Sequence, residues 1–218
     1  FDAVWAGSFE ISATHALPDA SIMTMTEFLG VTTNMVDACK IPVIADCDTG
    51  FGGPTNVSHM VKKYENVGVA AISIEDKIFP KQNSLLEDGK QELLSEKEFV
   101  AKIIAAKDAR QNSDFMIIAR TEALIAGLGM NEAIQRANNS SYGLGAGIVT
   151  KSIDNALKFA NGVRAGTIYV NCYDAFDSTS VFGGFKNSGL GRELGEYGLR
   201  NYTEVKTVII KRPDDSLF

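Results

Sequence analysis

The run "IPVIADCD", residues 41–48, begins with apolar residues and ends with two acidic ones. Three other short runs are also apolar, with polar or charged residues at or just after their ends: "AVWAG" at 3–7, "VAAISIED" at 69–76 and "FMIIART" at 115–121. Continuous apolar runs of this length are typical of strands that are buried on both faces, as in parallel sheets. The four runs therefore predict four strands of a parallel sheet.

The segments between these runs have helical periodicity. In "NVSHMVKKYENVG" (56–68), Gly68 is a predicted C-terminal stop, and one helix face carries the apolar residues Val57, Met60, Val61 and Tyr64. In "SEKEFVAKIIAAKDAR" (95–110), Ser95 and Glu98 have the spacing of a capping box. The predicted inner face of this second helix contains Val100, Ile103, Ile104 and Lys107. Alternating strands and helices predict an α/β fold with right-handed crossovers.

A second strand–helix–strand unit follows in the last third of the chain. "GAGIVT" (145–150) and "TIYVN" (167–171) are predicted strands, and the helix between them has an apolar face of Ile153, Ala156, Leu157 and Ala160. "VKTVIIK" (205–211) is a predicted edge strand near the end of the chain. We expect the strands at 145–150 and 167–171 to extend the sheet of the first four.

Composition excludes several classes of partner. The 218 residues carry a net charge of −6 and no Lys/Arg cluster, so nucleic acid is not an expected partner. No apolar run has the length of about 18 residues that a membrane span needs, so none is expected. Cys39, Cys47 and Cys172 are sparse and odd in number, which indicates reduced thiols and a cytoplasmic protein.

Charged residues stand at the ends of three predicted strands. Asp46 and Asp48 end one run, Glu75 and Asp76 end the next, and Arg120 ends the fourth. The carboxyl ends of parallel strands meet at one rim, where α/β active sites form. Clustered carboxylates suit Mg²⁺, and an Arg suits a carboxylate or phosphate of the ligand. The alternative is that the acids cap the following helices and that Arg120 pairs with Glu122 on the surface.

The exact residue order of several segments is more specific than this pattern of charges. "VWAGSFEISATHALPDAS", "PVIADCDTGFG", "IEDKIFPKQNS" and "IARTEALIAG" resemble phosphoenolpyruvate mutases of the isocitrate lyase superfamily, over residues 1–137. The resemblance implies a (β/α) barrel with a Mg²⁺-bound enolate at its rim. It also implies a phosphonate or 2-oxo acid substrate, whose phosphoryl group moves between oxygen and carbon.

The same resemblance implies site residues. Asp46 corresponds to the principal Mg²⁺ ligand, while Asp48 and Glu75 act through metal-bound water. The substrate contacts correspond to Asp19, Trp5 and Arg120, and the segment "DKIFPKQNSLLEDGKQEL" (76–93) is the gating loop, in which Lys81 and Asn83 reach the substrate. Asn83 favours a mutase over the related phosphonopyruvate hydrolases.

One position departs from the family pattern. The family reads Trp–(Gly/Ala)–Ser–Gly, whereas this chain reads Trp5–Ala6–Gly7–Ser8. Gly7 and Ser8 are thus the candidate substrate contacts of this motif. A shift of one place along a strand turns a side chain to the other face, so the hydroxyl of Ser8 is not expected to replace the family's Ser.

The last part of the chain resembles a different family. "RANNSSYGLGAGIVTKSID", "RAGTIYVNCYD" and "FGGFKNSGLGRELGEYGLRNYTEVKTV" are similar to NAD-dependent aldehyde dehydrogenases over residues 136–218. The catalytic Cys, its Glu base and the dinucleotide-binding domain of that family lie upstream of this segment. NAD is implied by the family, but no residue of this chain is assigned to bind it, and Cys172 is predicted to be structural. The family's terminal strand, 204–211 here, pairs across subunits and so predicts an oligomer.

We therefore predict an α/β chain of two parts. Residues 1–137 form a partial barrel of the mutase type, and residues 138–218 form a βαβ unit and terminal strand of the dehydrogenase type. The predicted function is that of a Mg²⁺-dependent mutase. The alternatives are an aldehyde dehydrogenase fragment and a non-catalytic chimera whose tail docks on dehydrogenase subunits.

Overall fold

A computed structural model describes residues 2–83, 91–173, 175 and 177–210. The chain divides into two compact units between Ser140 and Ser141, close to the boundary predicted at 137/138. This division is structural, and the derivation of the two parts from two families stays a prediction. Within the described ranges, no helix is both long and apolar enough to cross a bilayer.

The first unit is an open, parallel α/β sheet, as predicted. Its four strands are hydrogen-bonded in chain order and all run parallel: β1 (Val4–Ala6), β2 (Val43–Asp46), β3 (Ala71–Glu75) and β4 (Met116–Arg120). Its helices are α1 (Ser8–Thr14), α2 (Met25–Ala38), α3 (Pro54–Asn66), α4 (Glu96–Ala109) and α5 (Gly129–Asn138). This arrangement confirms the α/β fold and the four predicted strands.

One face of the sheet packs against the helices and forms the core. Because side chains alternate along a strand, this face takes alternate residues of β2, β3 and the turn after β2. The core cluster includes Val43, Ala45, Cys47, Ile72 and Ile74. The apolar face of α3, predicted from its spacing, covers them with Val57, Met60, Val61 and Tyr64, all with no exposed surface. The polar residues between these positions are thereby directed to the opposite face.

Side-chain caps fix where two helices begin. Thr24 caps α2 and Ser95 caps α4, each with the reciprocal contact from a Glu three residues later that the sequence predicts for Ser95. In α4, the Ser95 hydroxyl accepts from the Glu98 backbone N–H at 3.3 Å, and Glu98 Oε2 accepts from the Ser95 N–H at 3.1 Å. The helix therefore starts with its first free N–H groups satisfied.

We expect Ser95→Ala to lower the free energy of unfolding by about 1 kcal/mol, because the helix loses its cap. Urea unfolding followed by circular dichroism measures this loss. Ser113→Ala, at an exposed serine outside any helix, is the control and should stay within ~0.5 kcal/mol of the parent. Equal stabilities for the two variants would contradict the role of the cap.

The inner face of α4 differs from the prediction. Ile104 is 50% exposed, whereas Lys102 is buried together with Ala106 and Ala109. The Lys102 ammonium donates to the carbonyl of Thr49 at 2.8 Å, so the polar end of this side chain is satisfied inside the protein. Apolar spacing alone could not show this contact, because the partner is on a distant loop.

The described residues of the second unit form two small sheets and two helices. Its elements are β5 (Tyr142–Gly143), β6 (Gly145–Ile148), α6 (Ile153–Gly162), β7 (Thr167–Val170), β8 (Phe185–Lys186) and α7 (Gly195–Leu199). Strands β6 and β7 pair in parallel with each other, and β5 pairs antiparallel with β8. The prediction that the strands at 145–150 and 167–171 extend the first sheet is therefore wrong, because they form a two-stranded sheet of their own.

Two further predictions for the second unit are also corrected. Ile153 and Leu157 of α6 are 70% and 54% exposed, because a two-stranded sheet offers little surface to cover the whole predicted face. Residues 203–210 are exposed and irregular instead of forming the predicted terminal strand, and residue 211 lies outside the described residues. A strand needs a hydrogen-bonding neighbour, and the predicted neighbour belongs to another subunit.

Candidate active site

The end of β2 and the turn after it place two carboxylates at the carboxyl edge of the sheet. Asp46 Oδ1 accepts a hydrogen bond from the backbone N–H of Asp48 at 3.1 Å, and the Glu75 N–H donates to the Asp48 carbonyl at 2.7 Å. Gly50 follows with a φ of +84°, where a Cβ would lie 2.6 Å from Val57 Cγ2. This tight turn holds Asp48 almost fully buried, with 3% of its surface exposed.

The ends of β3 and β4 add a carboxylate and a guanidinium to the same edge. Glu75 and Arg120 are register partners, and Arg120 Nη2 lies 3.4 Å from Glu75 Oε2. Arg120 Nη1 lies 3.9 Å from Asp46 Oδ2, so the Arg spans the two acidic strands. The convergence of Asp46, Asp48, Glu75 and Arg120 is the geometry that their positions at strand ends predict.

Lys81, on the loop between β3 and α4, lies in the middle of the acidic groups. Its Nζ atom is 2.5 Å from Asp48 Oδ1 and 2.9 Å from Asp19 Oδ1. The same ammonium donates to the Ser8 hydroxyl at 3.0 Å. Lys81, Asp19 and Asp48 are all buried, so this is an interior ion cluster.

Ser8 belongs to the site, contrary to the expectation from strand alternation. Strand β1 ends at Ala6, Gly7 is the N-cap of α1, and Ser8 is the first helical residue. The alternation that would turn its side chain away therefore does not reach Ser8. Its hydroxyl donates to Asp46 Oδ2 at 3.3 Å while accepting from Lys81, and the residue is 1% exposed.

The other predicted site residues are Trp5, Gly7 and Asn83. Trp5, on the sheet face opposite the core residue Ala6, is 46% exposed. Gly7 lies between the strand and the helix, and a Cβ added there would be 3.0 Å from Trp5 Nε1. Asn83 is half buried at the end of a described segment. The predicted gating loop is described at 76–83 and 91–93, and residues 84–90 lie outside the described residues.

Two buried charges at the site were not predicted. The Lys77 ammonium lies 3.9 Å from Glu75 Oε1 and 3.7 Å from Glu122 Oε2. Glu122 accepts a hydrogen bond from Arg120 Nε at 2.5 Å and is only 2% exposed. The pairing of Arg120 with Glu122 that the alternative expected is therefore present, with the Glu122 carboxylate buried and the Arg120 side chain 39% exposed. Lys77 and Glu122 each stand two positions after a strand end, and this placement is the signal that could have revealed them.

Burial dominates the electrostatics of the carboxylates. Desolvation raises the pKa of Glu75 to about 7, although Arg120 and both lysines oppose the shift. Desolvation likewise raises the pKa of Asp48, against the favourable charge of Lys81. For Lys81, burial lowers the pKa, but the nearby Asp48 and Asp19 more than compensate and hold it above its usual range. The ammonium of Lys81 is therefore a permanent charge at neutral pH.

The cluster carries an excess of negative charge. The ion pairs join three cations, Lys77, Lys81 and Arg120, to the five carboxylates Asp19, Asp46, Asp48, Glu75 and Glu122. When all are ionised, two negative charges remain uncompensated. Buried charges need partners, and one divalent cation would supply the missing charge.

The donor set fits Mg²⁺ with water in part of its coordination sphere. Glu75 Oε1 is buried and accepts no hydrogen bond, with the Lys77 ammonium 3.9 Å away, whereas Asp48 Oδ1 lies 2.5 Å from the Lys81 ammonium. Among the described residues, no three His, Cys, Asp or Glu side chains converge as direct ligands of one ion. Mg²⁺ commonly binds through one or two carboxylates and keeps several waters, so this spacing remains compatible with it.

A family model and two curated relatives relate the first part of the chain to the same group of enzymes. The family model described as phosphoenolpyruvate phosphomutase matches residues 1–172. Phosphonopyruvate hydrolase of Variovorax sp. (strain Pal2) is 50% identical over 136 residues, which are 62% of this chain and 47% of that protein. Phosphoenolpyruvate phosphomutase of Tetrahymena pyriformis is 47% identical over 137 residues, 63% of this chain and 46% of that protein. The chain thus spans about half the length of these curated relatives.

A solved structure and a second group of relatives complete the comparison. A crystal structure of phosphonopyruvate hydrolase with oxalate and Mg²⁺ has a TM-score of 0.65 and 37% identity, covering 78% of this chain and 59% of that one. Aldehyde dehydrogenase 1A1 of Gallus gallus is 63% identical over 84 residues, which are 38% of this chain and 16% of that protein. The similarity to aldehyde dehydrogenases falls in the C-terminal part of the chain.

Proposed function

Because this chain belongs to the phosphoenolpyruvate phosphomutase family, whose model matches residues 1–172, we propose that it is a Mg²⁺-dependent enzyme that interconverts phosphonopyruvate and phosphoenolpyruvate. The observation that carries this proposal is the convergence of Asp46 with the buried carboxylates of Asp48 and Glu75 in a cluster where carboxylates outnumber cations five to three. Its position at the carboxyl edge of a parallel sheet is where such sites form.

The reaction is an isomerisation in which no water is consumed. The phosphoryl group leaves carbon 3 of phosphonopyruvate and bonds to the enol oxygen, while the electrons of the broken carbon–phosphorus bond form the carbon–carbon double bond. Little covalent chemistry is required of the protein, so positioning and charge stabilisation account for most of the rate. A bound Mg²⁺ would neutralise the negative charge that develops on the oxygens of the pyruvyl group.

The residues of this chain divide these tasks. Asp46 would hold the cation directly, with Asp48 and Glu75 acting through water. Arg120, whose side chain is 39% exposed, can reach outward to grip a carboxylate or phosphoryl oxygen. Lys81 would stabilise the migrating phosphoryl group through its positive charge, since its three N–H donors face Asp19, Asp48 and Ser8, and the O–H of Ser8 donates to Asp46.

Overall similarity favours neither the mutase nor the hydrolase. The identities to the two curated relatives differ by only three points, 50% against 47%. We propose the mutase because Asn83 stands in the loop where it would cover the substrate and exclude water. Exclusion of water is what separates phosphoryl migration from hydrolysis.

Phosphorus NMR of phosphonopyruvate incubated with the protein and Mg²⁺ tests this proposal, with phosphoenolpyruvate also supplied in the reverse direction. The proposal expects interconversion of the two compounds, and no interconversion by Asp46→Ala. Release of inorganic phosphate with pyruvate would replace the mutase by a hydrolase. No conversion above the Asp46→Ala control would remove enzymatic activity of this chain.

The second candidate is a non-catalytic chimera that docks on aldehyde dehydrogenase subunits through its tail. It is favoured by the 63% identity of the C-terminal segment to a dehydrogenase and by the exposure of Val208, Ile209 and Ile210, each above 60%. Residues 204–211 would add a strand to a dehydrogenase sheet or to a second copy of this chain. Co-purification of a dehydrogenase with the full chain, and its loss when residues 204–218 are removed, would support this candidate.

The thiols bear on where the protein acts. Cys39, Cys47 and Cys172 are all free. Because free thiols persist in reducing compartments, we propose a cytoplasmic location.

A further inference from the structure

The loop that carries Lys81 is fastened at its base by backbone pairing. Leu94 donates its N–H to the carbonyl of Asp76 at 2.8 Å, and Lys77 is bridged in antiparallel fashion to Leu93. Ile78 donates to the carbonyl of Glu92 at 3.3 Å. Among the described residues, this backbone pairing reaches as far as Ile78, three residues before Lys81.

The side chain of Gln91 supplies the contacts beyond that point. Its amide nitrogen donates to the carbonyl of Ile78 at 2.7 Å and to the carbonyl of Pro80 at 3.0 Å. Its amide oxygen accepts from the backbone N–H of Gln82 at 2.8 Å. One side chain thus binds three backbone groups along five consecutive residues of the loop.

These three contacts bracket Lys81. Pro80 and Gln82, the residues on either side of it, are both held by the same amide group. The Lys81 N–H itself donates to the Ser21 hydroxyl at 3.0 Å, which leaves its side chain to enter the cluster of Asp19 and Asp48. The Lys81 ammonium can keep its contacts with Asp19 and Asp48 only while the backbone from Pro80 to Gln82 keeps this conformation.

We propose that Gln91 is a positioning residue that fixes Lys81 in the acidic cluster. The hydrogen bonds that define this role stand independently of any reaction, whereas its consequence for catalysis rests on the proposed function. An amide is required at this position, because the contacts need two donors and an acceptor in one planar group. A carboxylate of the same size keeps the acceptor and loses both donors.

Accessibility of Lys81 to an amine-acylating reagent tests the proposal directly. The full chain is labelled with an N-hydroxysuccinimide ester under limiting conditions, and the modification at each lysine is measured by mass spectrometry. We expect Gln91→Glu to raise the labelling rate of Lys81 about tenfold, since loss of two hydrogen bonds increases the population of open loop conformations by roughly that factor. Gln91→Met, which removes all three contacts without adding charge, is expected to have an effect at least as large.

Two controls separate positioning from general loosening. Lys102 is also buried and lies on a helix away from this loop, so its labelling should stay unchanged in both variants. Gln111→Glu alters an exposed glutamine whose described contacts use only its backbone, so Lys81 labelling should match the parent. The proposal is overturned if Lys81 labelling is the same in the parent and both Gln91 variants, or if Lys102 labelling rises in parallel.

The labelling result and the proposed function can fail separately. A protein that converts no phosphonopyruvate but shows the selective rise at Lys81 would retain the positioning role and lose the mutase activity. Where activity is present, Gln91→Met should lower kcat while leaving the affinity for Mg²⁺ within about twofold, because Asp46 and Glu75 lie on β2 and β3 and Asp48 lies on the turn after β2, all outside this loop.

Discussion

Asp46→Asn is expected to lower the rate of phosphonopyruvate conversion roughly a thousandfold. The substitution keeps the size of the side chain but removes one of the two uncompensated negative charges, and it places an amide where Oδ2 faces Arg120. One unit charge at about 4 Å in a medium of effective dielectric constant near 20 is worth about 4 kcal/mol, which corresponds to that factor. The loss should be visible in kcat/KM at a Mg²⁺ concentration that saturates the parent protein.

Asp108→Asn is the matched control for this experiment. Asp108 is an exposed residue of α4, and its substitution should leave kcat/KM within about twofold of the parent. Circular dichroism shows whether both variants keep the parent's secondary structure. An Asp46→Asn protein that is folded and less than tenfold slower than the parent would contradict the role assigned to this carboxylate.

Asp76→Ala is expected to lower the free energy of unfolding by about 3–5 kcal/mol, the cost of breaking a buried ion pair. Asp76 has no exposed surface and accepts from the Thr121 hydroxyl at 2.7 Å and the Glu122 N–H at 2.8 Å. Arg136 Nη1 completes the set at 3.4 Å from Asp76 Oδ2. The truncation leaves all three donors without their carboxylate in a buried setting.

Urea unfolding measures this loss, with Asp108→Ala as the control that should change stability by less than ~0.5 kcal/mol. The double variant Asp76→Ala with Arg136→Met should recover part of the loss, because the uncompensated cation is then also removed. A loss below ~1 kcal/mol for Asp76→Ala, with an unchanged urea dependence, would show that this network contributes little to the fold.

The sequence was sufficient for the sheet and for the acidic residues because both depend on local order. Apolar runs and helix faces recur with the periods of the backbone, so the four strands and the buried face of α3 are visible without tertiary information. The carboxyl ends of parallel strands share an edge by geometry. The positions of Asp46, Asp48, Glu75 and Arg120 follow from that rule together with strand order.

The missed features depend on contacts between distant parts of the chain. Ser8 enters the cluster because β1 ends at Ala6, and the bounds of a three-residue strand are below the resolution of sequence patterns. Lys102 can be buried because the Thr49 carbonyl, on a distant loop, accepts a hydrogen bond from its ammonium group. Gln91 binds backbone groups whose positions no periodicity in the sequence indicates. In each case the partners of a polar side chain are outside the local pattern of the sequence.

The second unit shows a different kind of failure. Periodicity correctly predicted β6, α6 and β7, but it gave no information about which strands pair. Pairing partners are set by tertiary packing, and here β6 and β7 pair with each other. The terminal segment has the composition of a strand, but a strand forms only against a neighbour, and in this chain residues 203–210 remain irregular.

Titration of the protein with Mg²⁺ by calorimetry, with oxalate present, tests most directly whether the buried carboxylates form a divalent-cation site. We predict one equivalent of Mg²⁺ per chain, with binding abolished in Asp46→Asn and retained in Asp108→Asn. Folded protein that takes up no Mg²⁺, or that binds it equally well after Asp46→Asn, would contradict the assignment of this site.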